Sequence, residues 1–189
     1  MRIIQRATLI EKLAGHARAG HAVLAYGPRG IGASTVLDGC AAWLIDHGRR
    51  VVRIARLASS ADLIEPLARA YVGEVRTARE RLRAAIEREP GVVLVDRVER
   101  AGAKVRREIR ELGAVGLGAI LVGQADTPRE HARLRALRLA HRELAIPPLD
   151  RGAMREVLKA HLTPDLSARL SDSDRERMMR SWISRSPAE

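Results

Sequence analysis

Gly27-Pro28-Arg29-Gly30-Ile31-Gly32-Ala33-Ser34-Thr35 is the stretch on which the fold turns. A short apolar run, residues 21–26, leads into it. Val36, Leu37, Cys40, Trp43 and Leu44 follow at helical spacing, with Gly48 as a stop signal. A glycine-rich turn that leaves a strand and opens a helix is the setting a phosphate-binding loop requires. Glycines let the backbone wrap close to an anion, and successive N–H groups at a helix start attract negative charge. Residues 27–35 are therefore expected to line the phosphates of a nucleotide, with the Ser34 hydroxyl on Mg²⁺. The residue before Ser34 should be a lysine reaching the β- and γ-phosphates, and it is Ala33. Arg29 is a poor substitute, since it lies on the loop itself with a different side-chain geometry. An ordinary glycine-rich turn is the competing reading.

Outward from the loop, apolar runs alternate with amphipathic segments, the pattern of an α/β fold with a mainly parallel sheet flanked by helices. Strands are expected near 21–26, 51–55, 92–95, 119–122 and 143–146. Thr8 with Glu11 reads as a capping box opening a first helix, with Leu9, Ile10 and Leu13 inward. Ser59 with Asp62 opens a helix carrying Leu63, Ile64, Leu67 and Tyr71. Thr77 with Glu80 opens another, around which Arg76, Arg79, Arg81, Arg83 and Arg88 are exposed. A basic helix is expected over 103–112 and a further one over 130–139. Pro147-Pro148 ends the alternation, so residues 1–147 read as the core and 148–189 as a small helical lid. In the lid, Asp150 and then Asp172 or Ser173 serve as helix caps.

Val92-Val93-Leu94-Val95-Asp96 reads as a buried central strand ending in a carboxylate that would hold Mg²⁺ through water. Asp96 is expected beside the glycine-rich loop because adjacent strand ends converge there. The next residue usually supplies the acid that polarises an attacking water, and here it is Arg97. Glu99 is the nearest acid, but its offset should point it elsewhere. Gln124, at the end of the 119–122 strand, is placed to sense a γ-phosphate. Asp126 and Thr127 read as caps of the helix that follows. His16 and His47 read as surface or capping residues.

Composition sets the remaining bounds. The 189 residues are 46% hydrophobic and 30% charged, the balance of a folded domain. No apolar run approaches the length of a membrane span, and the N-terminus has no signal-peptide core. Cys40 is the only cysteine, so a cytoplasmic setting is expected. A net charge of +11 favours a polyanionic partner, although solvated arginine-rich helix faces would give the same number. Aromatic residues are 2% of the chain and phenylalanine is absent, which argues against base-stacking platforms and leaves phosphate contacts.

The order of these motifs resembles the AAA-type ATPases that include the Mu-phage B transposition regulators, the ExeA-type secretion ATPases, and the origin-recognition and STAND groups. The residues that carry the resemblance are 6–13, 27–35, 92–96, Ile120-Leu121-Val122-Gly123, and Arg142 with Ile146-Pro147-Pro148-Leu149, so it covers about residues 1–163. The resemblance implies ATP or ADP with Mg²⁺ as cofactors. It also implies homo-oligomeric assembly, often on DNA, with an arginine of one subunit reaching the next subunit's nucleotide. Arg142 matches that arginine best and Arg138 second. Ala33 and Arg97 depart from the pattern and put hydrolysis in doubt. Three readings stay open: a nucleotide-binding regulatory subunit with weak or absent hydrolysis, a pseudo-ATPase scaffold for an unnamed partner protein, and an active ATPase whose lysine was replaced at Ala33. The short C-terminal segment is expected to be too small for a winged-helix DNA reader, so DNA contact is expected from the core. Arg100, Lys104, Arg107 and Arg110 recur at helical spacing as its candidates, because four cations on one face repel unless something anionic meets them.

Overall fold

In the computed structural model, which describes residues 6–74, 79–140, 142–149 and 152, five strands form one parallel sheet. They are β1 (Ala22–Gly27), β2 (Val51–Ile54), β3 (Val92–Val95), β4 (Gly118–Gln124) and β5 (Arg142–Ala145). Side-chain alternation sorts each strand between two cores. Val23, Ala25, Val92, Leu94, Ile120 and Val122 face one side, where α1 (Ala7–Arg18) and α2 (Ala33–Asp46) pack. Leu24, Val52, Ile54, Val93, Val95, Ala119 and Leu121 face the other, covered by α3 (Ser60–Val72), α4 (Arg79–Arg88), α5 (Ala103–Gly113) and α6 (Pro128–Ala136). β3 is buried along its whole length because both its neighbours and both faces are occupied, which is why it reads as an unbroken apolar run.

The strand order is β2-β3-β4-β1-β5. β4 therefore lies between the strand that feeds the glycine-rich loop and the strand that ends at Asp96. The expectation that those two strands are neighbours is corrected, although their ends do meet across β4.

Local signals explain most element ends. Ser59 caps α3 and exchanges hydrogen bonds with Asp62, and Thr127 does the same with Glu130 for α6. His47 is the C-cap of α2, with Nδ1 2.7 Å from the Trp43 carbonyl. The capping box expected at Thr8 does not form, because α1 already begins at Ala7 and Thr8 lies within it. Close backbone approaches are made by glycine: a Cβ on Gly118 would lie 1.9 Å from the Ala17 carbonyl oxygen, which lets α1 end directly against the start of β4.

The chain divides into two compact units, Thr8–Ile146 and the pair of segments Met1–Ala7 and Pro147–Glu189. In the second, Arg6 Nη2 donates to the Pro147 carbonyl at 3.2 Å. The helices expected within the 148–189 lid, with their caps at Asp150, Asp172 and Ser173, lie outside the described residues, as do Arg76, Thr77 and Ala78.

Candidate nucleotide site

At the C-terminal edge of the sheet, β1 runs into the glycine-rich loop, and α2 begins at Ala33. Gly30 has φ +83° and Gly32 φ +84°, the left-handed region that side chains resist, so the two glycines make the loop's curl possible. Gly27 is confined for another reason: a Cβ there would lie 3.2 Å from Ile31 Cγ2 and 3.5 Å from Ile146 Cβ. Gly32 is the N-cap of α2 with no side-chain cap, and its carbonyl accepts from the Val36 N–H at 3.1 Å.

Asp96 follows β3 at the same edge of the sheet, and the Ser34 hydroxyl donates to its Oδ2 at 3.0 Å. This contact joins residues 62 positions apart and brings together the two oxygen ligands expected for Mg²⁺. One hydroxyl and one carboxylate suit that ion, which usually keeps several waters and takes the rest of its shell from phosphate. Among the described residues no group of three or more His, Cys, Asp or Glu side chains could hold a metal by itself. The residues present thus fit Mg²⁺ held together with phosphate oxygens. At Ala33 there is a half-buried methyl group packed toward the α1–α2 core, and it supplies no charge to a third phosphate.

Two acids prove better placed than their spacing indicated. Glu99 lies in a 3-10 turn, Val98–Arg100, and its carboxylate accepts from the Gln124 backbone N–H. Gln124 is level with Gly27 in the β1–β4 register, so Glu99 reaches the crest of the sheet and does not point away. The turn that aims it begins at Arg97, an exposed residue held at φ 56° and ψ 59°. Such backbone costs a non-glycine residue of the order of 1–2 kcal/mol and is uncommon away from functional or strained positions.

Asp126 is more than part of a helix cap, because its Oδ1 accepts from the Arg29 backbone N–H in the glycine-rich loop at 2.7 Å. The Ala125 N–H donates to the Gly27 carbonyl at 3.0 Å, fastening the same turn to the loop's first residue. The sequence does carry a clue: Thr127 and Glu130 make a complete capping box alone, which leaves the Asp126 carboxylate available to another partner.

The other candidates lie apart. Arg142 is exposed at the first position of β5, opposite Val23 near the start of β1. Four residues at ~3.3 Å each place it roughly 13 Å along the sheet from Gly27, at the end away from the loop. Arg138 follows α6 with φ 47°. Arg100 belongs to the 3-10 turn and is separated from α5 by Ala101 and Gly102, so the four-cation helix face is corrected to three. Of these, Lys104, Arg107 and Arg110 are exposed on α5, with Arg107 Nε 3.5 Å from Glu111 and Arg110 Nε 3.4 Å from the Arg106 carbonyl.

No protein-family model matches the chain, and no curated protein matches it in sequence. Solved structures match it in fold. The ORC1 protein of Aeropyrum pernix, in complex with DNA, is 19% identical with a TM-score of 0.54 over 82% of this chain and 48% of its own. A chain of Drosophila ORC bound to poly(dA/dT) DNA and Cdc6 is 20% identical with a TM-score of 0.54, over 84% of this chain and 31% of its own. DnaA from Aquifex aeolicus, bound to AMPPCP, is 17% identical with a TM-score of 0.50, over 82% and 49%. At such identities the likeness concerns the fold alone. The chain spans about half the length of the A. pernix and A. aeolicus proteins. The five-stranded parallel sheet in the order 2-3-4-1-5, flanked by helices, is that of a P-loop nucleoside triphosphatase. More narrowly, the chain is similar in structure to these ORC1, ORC and DnaA chains.

Proposed function

We propose that this chain is a nucleotide-binding regulatory subunit that takes ATP or ADP with Mg²⁺ at residues 27–35 and turns ATP over weakly or not at all. The observation that carries this reading is the 3.0 Å contact between Ser34 and Asp96, made across an intervening strand at the mouth of the glycine-rich loop. Loop N–H groups and the start of α2 would hold phosphate oxygens. Ser34 and Asp96 would hold Mg²⁺, whose contribution when bound is to neutralise phosphate charge. Hydrolysis is disfavoured by two side chains. Ala33 has no ammonium to stabilise charge on the transferred group, and Arg97 cannot accept a proton where an acid is needed. Glu99 is the nearest carboxylate left for orienting a water, and its Oε1 already accepts from the Gln124 N–H.

DNA backbone contact through Lys104, Arg107, Arg110 and Arg100, and self-assembly, belong to the same proposal. The net charge of +11 and the DNA-bound state of two fold neighbours support them. Arg142 and Arg138 are the candidates for reaching a neighbouring copy's nucleotide, since Arg142 is distant from the loop of its own chain. The test is calorimetric titration of ATP and ADP, with and without Mg²⁺, into this chain and into Ala33→Lys. Mg²⁺-dependent binding that tightens in the lysine variant supports the reading. Absence of binding by both chains defeats it and leaves the scaffold, a reading that Ala33 and Arg97 favour. Vigorous turnover by Ala33→Lys would identify a disabled enzyme.

A further inference from the structure

The structure assigns to Asp126 the choice between nucleotides: we infer that its carboxylate, held on the glycine-rich loop, selects a diphosphate over a triphosphate. This inference rests on the reading of residues 27–35 as a nucleotide site.

Asp126 sits directly on the loop backbone: its Oδ1 accepts from the Arg29 N–H at 2.7 Å. Nearby contacts keep it there. Its own N–H donates to Glu130 Oε2 at 2.8 Å, the Thr127 N–H donates to the same oxygen at 3.0 Å, and the Ala125 N–H donates to the Gly27 carbonyl at 3.0 Å. The backbone that carries the carboxylate is therefore anchored on both flanks, by a capped helix and by the end of β1. The carboxylate itself is held on the loop by the Arg29 N–H.

Charge decides what this geometry accepts. The first phosphates of a nucleotide lie against the N–H groups nearest the helix start, and the outermost is where a loop lysine would reach. Here that cation is a methyl group. The site is bounded instead by Asp126 on Arg29, by Glu99 on Gln124 and by Asp96 on Ser34. Mg²⁺ at Ser34 and Asp96 would offset one of these acids. Asp126 is engaged with the loop backbone at Arg29 and is not one of the ligands expected for that ion, so Mg²⁺ there does not neutralise it directly. A third phosphate would add negative charge on the side of this carboxylate, and like charges a few ångströms apart repel even where, as at exposed Asp126, water screens them. A diphosphate stops short of it.

The test compares ADP and ATP binding in the presence of Mg²⁺ for the full chain, Asp126→Asn and Asp126→Ala, by calorimetry. The asparagine keeps an oxygen that can accept from the Arg29 N–H and removes only the charge. The unsubstituted chain should bind ADP more tightly than ATP. Asp126→Asn should tighten ATP by roughly tenfold or more and ADP by less than about threefold, and Asp126→Ala should move both in the same sense. Thermal melting without nucleotide checks that the capping box still holds α6. A parent chain that prefers ATP overturns the inference before any variant is made. So does an equal shift for both nucleotides, or a gain confined to Asp126→Ala. No binding of either nucleotide by any of the three chains instead defeats the nucleotide reading on which it rests.

Discussion

Ala33 is the first residue of α2, with its methyl group turned toward the α1–α2 core. A lysine there would place an ammonium at the positive end of the helix dipole, at a cost of about 0.3–1 kcal/mol in the absence of ligand. The same ammonium beside β- and γ-phosphates should gain about 1.5–3 kcal/mol, or roughly 10- to 150-fold in ATP affinity, with a smaller gain for ADP. Calorimetry and thermal melting of Ala33→Lys read the two effects separately, and unchanged ATP affinity would show that the loop holds no phosphate. Cys40 makes a different prediction. It is fully buried between α1 and α2, and burial pushes its thiol from 9.0 up to about 12. The folded chain then holds a proton that the unfolded chain releases above pH 9.0, so stability should fall as pH rises through that window, by about 1.4 kcal/mol per unit. Below it, a thiol reagent at about pH 8 should leave Cys40 unmodified until the chain unfolds; rapid native-state labelling would contradict this packing. Glu108 shows what residue-scale reading cannot supply. In Arg106-Arg107-Glu108-Ile109-Arg110-Glu111 it looks like a solvated helix position. It is 2% exposed and accepts from Ser60 Oγ and Arg79 Nη2, partners 48 and 29 positions away.

Elements were legible where their signals are local. Ser59 and Asp62 are recognisable as a capping box from spacing alone, and the structure has both halves of it. Ser59→Ala should cost about 1 kcal/mol, read as a lower midpoint in urea with an unchanged slope. The backbone N–H groups of Ala58 and Ser59 hold the Asp62 carboxyl below its ordinary range. Its contribution is therefore complete at neutral pH and is lost as pH falls through that depressed value. Strands 51–54 and 92–95 fall almost where apolar runs put them, whereas β4 extends to Gly118 and Gln124 because pairing with β1 and β3 continues past the apolar residues. Thr8 and Arg100 show the opposite case. The chain enters α1 before the cap signal at Thr8, and it breaks at Ala101 and Gly102 between Arg100 and α5. DNA binding can be tested at this scale with Lys104→Ala, Arg107→Ala and Arg110→Ala combined. Removing one phosphate-binding cation should reduce the slope of log-affinity against log-salt by about 0.9. Arg107 should contribute less than the other two, because Glu111 already faces it. Unchanged binding in the triple variant would remove α5 from the interface.

At the scale of the molecule, the order β2-β3-β4-β1-β5 turns a set of weak motifs into one site. Inserting β4 between β1 and β3 carries Gln124 and Asp126 to the crest between the loop and Asp96. The pairing of β5 with β1 puts Arg142 at the far end of the edge strand. If Arg142 reaches nucleotide at all, it does so in another copy. Arg142→Ala should then weaken nucleotide-dependent assembly, read by light scattering at matched protein concentration, while leaving monomer nucleotide affinity within about threefold. An affinity loss in the isolated monomer would place the arginine in its own site. Glycine spacing, apolar periodicity and capping residues determined by themselves that this chain is an α/β protein with a glycine-rich loop of phosphate-binding pattern lacking its lysine, because each signal operates within a few residues. Only the tertiary structure decided which acids surround that loop. The meeting of Ser34 with Asp96, Gln124 with Glu99, and Arg29 with Asp126 depends on strand order and register, and these are set by the burial of both sheet faces at once.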